Sequence, residues 1–473
     1  MNSLKPLHWV ALTLALGIVA FAGIAHFQYF GSISFLGAVF LVEVIIACLW
    51  KYDERFFILL MIAFLWAGMH VPLQDAWTSG RWVVLSVGAL VGYAVWMNDP
   101  RRRFRLVHLL ALFCVASAFV SATVSPFLQM SAFKGFSLLL LFLYCAAGAR
   151  LAVLGREDRF FRGLLLGCEM VVYGTAICYF VTGQAVWGNP NSLGAAMSIG
   201  IFPVLLWGWL TSDGRTIRFR RLVALILCTY LIVFSMARAG IISIVLVTLI
   251  FCFCLHQYKL LARLVGLALL FAAVTGVFAP DTLSRSFGEM TDAILYKGHK
   301  NDGVLGSRRS PWEKSLSIIK EHPWFGTGYG TSPTGEDPGL NFGKFASSSE
   351  TSREHGSGYI TLAEWVGLLG VLPFVALLVI TARNVWRVCV WMNRTSNARH
   401  YSIPVAMVVL SGLLHANFED WLFAVGAYPC VYFWVFAFLL ADLMPSPALV
   451  QASPVIIRSS TLPASYEAVA SSR

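Results

Sequence analysis

Charge is scarce in this chain. Only 12% of its 473 residues are Asp, Glu, Lys or Arg, while 58% are apolar, a balance that excludes an ordinary water-soluble domain. Paired cysteines are missing as well. The ten cysteines lie in apolar stretches, apart from Cys389 in a short basic loop. No CxxC spacing occurs, and Cys252 and Cys254 are too close for a usual zinc pair, so neither a structural disulfide nor a metal site is expected. A phosphate loop is lacking too. The glycine-rich "GTGYG" at 326–330 follows no strand and has no Lys-Ser/Thr ending, so it reads as a turn. The net charge of +11 would suit nucleic acid, but no basic patch is interleaved with an aromatic platform, which argues against that partner.

Long apolar runs are what the chain does have. Fourteen stretches are candidates to cross a bilayer: 8–27, 33–50, 56–73, 82–97, 106–124, 132–149, 161–182, 191–210, 221–236, 240–256, 261–279, 357–382, 402–417 and 421–443. A helix rising 1.5 Å per residue needs about 20 residues for a hydrocarbon core of about 30 Å. Twelve to fourteen true spans are expected, since the pairs at 221–256 and 402–443 could be broken or re-entrant. The first run lacks a small-residue cleavage site and reads as an uncleaved helix. With the N-terminus inside, the inner loops collect Arg101-Arg102-Arg103, Arg150, Arg156, Arg159, Arg220 and Arg221, whereas the short outer loops keep Arg81, Lys134 and Arg238. This asymmetry sets the orientation and accounts for most of the net charge. The expected organisation is about eleven spans over 1–279, a long outer loop at 280–356, further spans over 357–443, and a Pro/Ser/Ala-rich disordered tail at 444–473.

The long outer loop carries its own basic residues and one marked helical pattern, "GSRRSPWEKSLSIIKEHPWFGTGYG" at 306–330. Ser310-Pro311-Trp312-Glu313 predicts a helix start with a capping box. Trp312, Leu316 and Ile319 predict an apolar stripe along the membrane–water interface, and Pro323 predicts the stop. Arg308 and Arg309 then stand at a helix N-terminus. Free backbone amides and two guanidiniums there would grip a phosphate or diphosphate, or else touch lipid headgroups.

Four separated stretches together resemble the O-antigen ligase family, whose superfamily also holds O-antigen polymerases and protein O-oligosaccharyltransferases. They are "GNPNSLG" at 188–194, "FSMARAGII" at 234–242, the segment from Arg308 to Gly330, and "EHGSGYITLAEWVGLLG" at 354–370. The second departs from the family pattern at Ala237 and Ala239, and Gly356 stands where the family often has Asn. The resemblance covers about residues 185–372. It implies an all-α polytopic membrane protein, a GT-C-like bundle of about 12–14 transmembrane helices with one large periplasmic loop holding short amphipathic helices. It implies a multi-pass protein of the bacterial inner membrane with its active site on the periplasmic side. The donor would be O-antigen on undecaprenyl diphosphate and the acceptor lipid A–core oligosaccharide, with no cofactor and no metal.

The resemblance implies catalytic roles for Arg238, Arg308 and His355, and the chemistry agrees. A lipid diphosphate leaving group gains negative charge that arginines can neutralise. A histidine can take the acceptor's hydroxyl proton near neutral pH. Substrate-binding roles fall to Arg309, the alternative to Arg308, and to Asn191, Trp312, Lys134 and Tyr359. His415, with Glu419 and Asp420, forms a further outward polar cluster that could bind the acceptor or close a gap between spans. The competing readings are an O-antigen polymerase, a protein O-oligosaccharyltransferase, and a transporter of an anionic lipid. The single dominant outer loop, the short tail and the unlike halves favour the ligase.

Overall fold

The computed structural model describes residues 54–70, 74–98, 104–183, 186–187, 189–263, 265–266, 306–332 and 355–445. The spans expected at 8–27 and 33–50, nearly all of that at 261–279, much of the outer loop and the tail lie outside the described residues. What is described is helical, with no strand among the described residues. Among the described residues five helices are long and apolar enough to cross a bilayer, and five shorter apolar ones accompany them. The chain is thus an all-α polytopic membrane protein.

In chain order the helices are α1 (Glu54–Ala67), α2 (Gln74–Met97), α3 (Leu106–Ala122), α4 (Leu128–Ala146), α5 (Gly148–Val153), α6 (Glu157–Ala176), α7 (Pro190–Ala195), α8 (Phe202–Thr211), α9 (Arg215–Phe234), α10 (Arg238–Cys254), α11 (Gly306–Glu321), α12 (Gly358–Thr395), α13 (Ser402–His415) and α14 (Tyr428–Asp442). α14 is apolar on every side and is correspondingly buried: Phe433, Trp434, Phe436 and Phe438 are all enclosed, as expected of a helix without a polar face. Trp434 packs 5.3 Å from the Phe142 ring of α4 and donates its indole N–H to Leu422 O at 2.8 Å. α12 shows the opposite pattern from Leu368 onward, with Leu368, Leu372, Val379 and Trp386 exposed, the surface a bilayer would cover. The expected span at 421–443 begins as a helix only at Tyr428. Residues 416–427 are irregular, and that stretch carries Glu419 and Asp420.

Two ends of the bundle hold its charges. At the end that the charge asymmetry assigns to the inside, buried Arg150 meets Asp442 through Nε at 2.7 Å and Nη2 at 3.1 Å, and Arg105 reaches the same carboxylate at 3.2 Å. This forked pairing ties α5 and the start of α3 to the end of α14. The other end gathers Asn191, Arg308, His355, Glu419 and Asp420, described below.

α12 is broken near its start. Gly367 has φ 68° and ψ 178°, far from helical values. In an unbroken helix the amides of Leu368 and Leu369 would donate to Glu364 O and Trp365 O. Here they donate to Pro323 O at 2.7 Å and Trp324 O at 3.2 Å, while Glu364 O and Trp365 O accept from Thr327 N at 3.0 Å and Gly328 N at 3.1 Å. Ser121 Oγ adds a bond to Trp365 O at 2.6 Å. The "GTGYG" segment is therefore a turn, as expected, and its backbone substitutes for the missing helical bonds. Non-helical backbone within a membrane protein survives where protein satisfies it in this way. The exchange needs close backbone approach: a Cβ on Gly326, itself at φ 70°, would lie 2.4 Å from Trp365 O.

Gly326→Ala should therefore cost about 2–4 kcal/mol, a left-handed backbone penalty plus an overpacked contact. Gly163→Ala is the control, because a Cβ there meets nothing within 4 Å. Thermal unfolding in lipid nanodiscs compares them; equal midpoints would show that the backbone exchange does not hold the fold.

Candidate active site

α11 starts at Gly306, one turn earlier than the sequence pattern predicts, and Pro311 lies inside it. The Ser310 capping box is not formed, because the Glu313 carboxylate instead accepts from Arg309 Nε at 2.8 Å, one helical turn back. Arg308 and Arg309 thus sit within the first turn rather than ahead of it. The stop after Glu321 falls where Pro323 predicts it. The buried face is also rotated from the expected stripe: Arg308, Ser315 and Ile318 are buried, Trp312 and Ile319 are half-buried, and Leu316 is exposed. The reason is that α11 packs on α12 by its arginine-bearing side. Trp312 fixes that contact by donating its indole N–H to Gly356 O at 3.1 Å.

Gly356 has φ 73°, and a Cβ there would approach Arg308 Cδ at 3.0 Å. A left-handed backbone position suits Gly, and Asn next best, so the turn accepts Gly356 without strain.

His355 is fully buried just before α12. Nδ1 lies 3.1 Å from Asp420 Oδ2, and Nε2 lies 2.7 Å from Ser332 Oγ and 3.3 Å from Glu364 Oε1. Burial alone would lower its pKa, but hydrogen bonds to Asp420 and then Glu364, with their charges, outweigh it, and the pKa stands above the ordinary imidazole value. The Asp420 carboxyl, despite burial that would raise it, is held below its ordinary range by the bond from His355.

One residue earlier, Glu419 organises the cations. Its Oε1 accepts from Arg308 Nη2 at 2.5 Å and from Asn191 Nδ2 at 3.2 Å. Arg238, the first residue of α10, lies within electrostatic reach of Arg308. α7 brings Asn191 here: Asn189 caps it, accepting from Asn191 N at 2.8 Å, with Pro190 at the first position. The turn itself is pinned to α12, since Gly358 N donates to both Ala416 O and Glu419 O at 2.9 Å. Adjacent carboxylates thus face different partners, Glu419 the arginine and Asp420 the histidine.

Of the residues singled out in the sequence, Arg238, Arg308, Asn191 and His355 come together. Arg309 does not: its side chain is 74% exposed and pairs with Glu313. Lys134 donates to Gly330 O and braces the glycine turn. Tyr359 donates to Leu413 O at 2.8 Å, a packing role. Ser332 and Glu364 were not foreseen as partners of His355, although Glu364 stands out as an acid inside an apolar run. Glu419 and Asp420 drew notice only as neighbours of His415. Among the described residues no group of His, Cys, Asp and Glu could hold a metal ion.

Residues 223–359 match the family described as O-antigen ligase. That segment is a domain of the O-antigen ligase family. The match takes in Arg238, Arg308 and His355, while Asn191, Glu419 and Asp420 lie outside it. No curated protein matches the chain. A domain of the O-antigen ligase family implies, at a coarse level, a glycosyl-transferring enzyme of the membrane that works on glycan and lipid-linked substrates.

Glu419 occupies Arg308 as a substrate anion would. Glu419→Gln removes that competing charge, so inorganic pyrophosphate should bind about 3–10-fold more tightly, in line with the effect of one nearby charge in a partly screened site. The unliganded protein should lose about 1–3 kcal/mol, since Arg308 gives up a charge-assisted bond. Calorimetric titration and thermal unfolding read the two effects; weaker pyrophosphate binding would show that Glu419 serves to position Arg308.

Proposed function

We propose that this protein is an O-antigen ligase. It transfers a polysaccharide from undecaprenyl diphosphate to lipid A–core oligosaccharide at the periplasmic face of the inner membrane, without a metal. The observation that carries this reading is the Glu419–Asp420 turn, which sets an arginine pair for a diphosphate beside a buried histidine paired with a carboxylate.

In the proposed reaction an acceptor hydroxyl attacks the anomeric carbon of the donor sugar. The new C–O bond forms as the bond to the phosphate oxygen breaks, and undecaprenyl diphosphate leaves with the electron pair. Arg308 and Arg238 neutralise the charge that grows on the leaving group. Asp420 accepts a hydrogen bond from the Nδ1–H of His355, which orients the ring and leaves Nε2 as the base. Ser332 Oγ, 2.7 Å away, marks where a hydroxyl meets Nε2. The acceptor's proton reaches the ring by displacing Ser332 or through its hydroxyl. The raised pKa strengthens the base at the cost of a higher pH needed to empty it.

Two sets of outcomes follow. Deleting the gene in its host should abolish polymer-bearing lipopolysaccharide while polymer persists on the lipid carrier; loss of the polymer itself would make the protein a polymerase. With purified substrates, His355→Ala should cut turnover by about 10²–10⁴-fold and recover partly at higher pH, whereas Arg308→Ala should gain nothing from pH and Arg308→Lys should remain impaired. The active form carries neutral His355, so activity falls as pH drops through its raised pKa. Asp420→Asn removes the largest raising influence, so the acid limb of the pH–rate profile should move to lower pH with a reduced plateau. A limb that stays in place would rule out His355 as the titrating base.

A further inference from the structure

His415 ends α13 with only 1% of its surface exposed. Its two ring nitrogens differ. Nδ1 lies 3.1 Å from Trp421 Nε1. An indole N–H can only donate, so Nδ1 is the bare, accepting nitrogen, and the proton of the neutral ring sits on Nε2. A second proton on Nδ1 would point at the indole N–H inside a buried site that already feels the charge of Arg308, so the ring stays neutral. Nε2–H is then a buried donor, and it has no hydrogen-bond partner among the described residues. An empty buried donor costs about 1–3 kcal/mol, and such a group in a native fold calls for an explanation.

Its surroundings supply one. The ring lies within electrostatic reach of Arg308, four residues ahead of Glu419, which binds Arg308 and Asn191. Arg238 and Arg308 already repel each other here. A third cation would add to that repulsion whenever the site is empty, whereas a neutral N–H adds a directed bond without it. We propose that the Nε2–H of neutral His415 donates a hydrogen bond to a phosphate oxygen of the donor's diphosphate, beside Arg308. Trp421 acts on this bond indirectly, as the positioning residue that fixes the ring's tautomer. The proposal rests on the diphosphate-donor reading given above.

The test uses the full chain in lipid nanodiscs and farnesyl diphosphate as probe, titrated by calorimetry at one pH, with thermal unfolding of each variant. His415→Phe keeps the ring's bulk and should weaken binding by about 10-fold or more, the usual loss for a hydrogen bond to a charged partner. His415→Gln, which restores an N–H, should recover most of the affinity. Arg308→Ala should also weaken binding. If Arg308→Ala weakens binding and His415→Phe does not, His415 is a packing residue and the proposal falls alone. If His415→Phe and His415→Gln lose affinity alike, each with a lowered unfolding temperature, the role is structural and the proposal again fails. If Arg308→Ala binds as tightly as the unaltered protein, the diphosphate reading itself is wrong.

Discussion

The exchange of backbone hydrogen bonds at Gly367 is the constraint on which the site end of this protein depends. A break in α12 opens two amides and two carbonyls, and the loop from Pro323 to Gly328 answers all four. Because only a glycine fits where Gly326 meets Glu364 O and Trp365 O, the loop's register is set. That register sets Ser332 against His355 on one side and, through Tyr329, whose hydroxyl donates to Phe423 O at 2.8 Å, ties the loop to the segment following Asp420. A chemically plain stretch of glycines thereby decides where a histidine and its carboxylates stand.

Charge in the bundle follows a different logic at each end. Around Arg150 and Asp442 the pairing is forked and closed, a fastening. Around Glu419 a single carboxylate oxygen serves both Arg308 and Asn191, and Arg238 adds a second positive charge nearby. A lone carboxylate set among cationic and polar donors resembles a bound anion more than a strut. The histidine next door has carboxylates about both ring nitrogens, which makes it a stronger base than an exposed imidazole. The same five-residue reach of chain, Ala416 to Asp420, feeds both systems.

Much of this was legible in the sequence because membrane helices obey one dominant rule, the burial of apolar length in lipid. That rule gave the helical fold, and separate motifs pointed to Arg238, Arg308 and His355, which the structure brings together. The start of α11 was not legible, because a local capping signal at Ser310 lost to an ion pair one turn back between Arg309 and Glu313. Its buried face was missed because packing on α12 outweighed the apolar stripe, leaving Leu316 exposed. The choice between Arg308 and Arg309 needed the helix phase, which hydropathy does not fix. Glu419 and Asp420 stood in the short link between the stretches at 402–417 and 421–443, but their partners were not legible, since an irregular segment has no periodic signature of its own.

α14, enclosed on all sides, has a consequence for assembly. A helix with no lipid-facing stripe gains its place from protein neighbours, and those neighbours are made before it. During synthesis the earlier spans must therefore leave a vacant groove until this one arrives. The Glu419–Asp420 turn is held between α13 and α14, so Arg308 acquires Glu419, and His355 acquires Asp420, only when that groove is filled. A growing chain anchored in the bilayer would hold its cations and its imidazole without either acid, and glycosyl transfer would wait for the last described helix to seat.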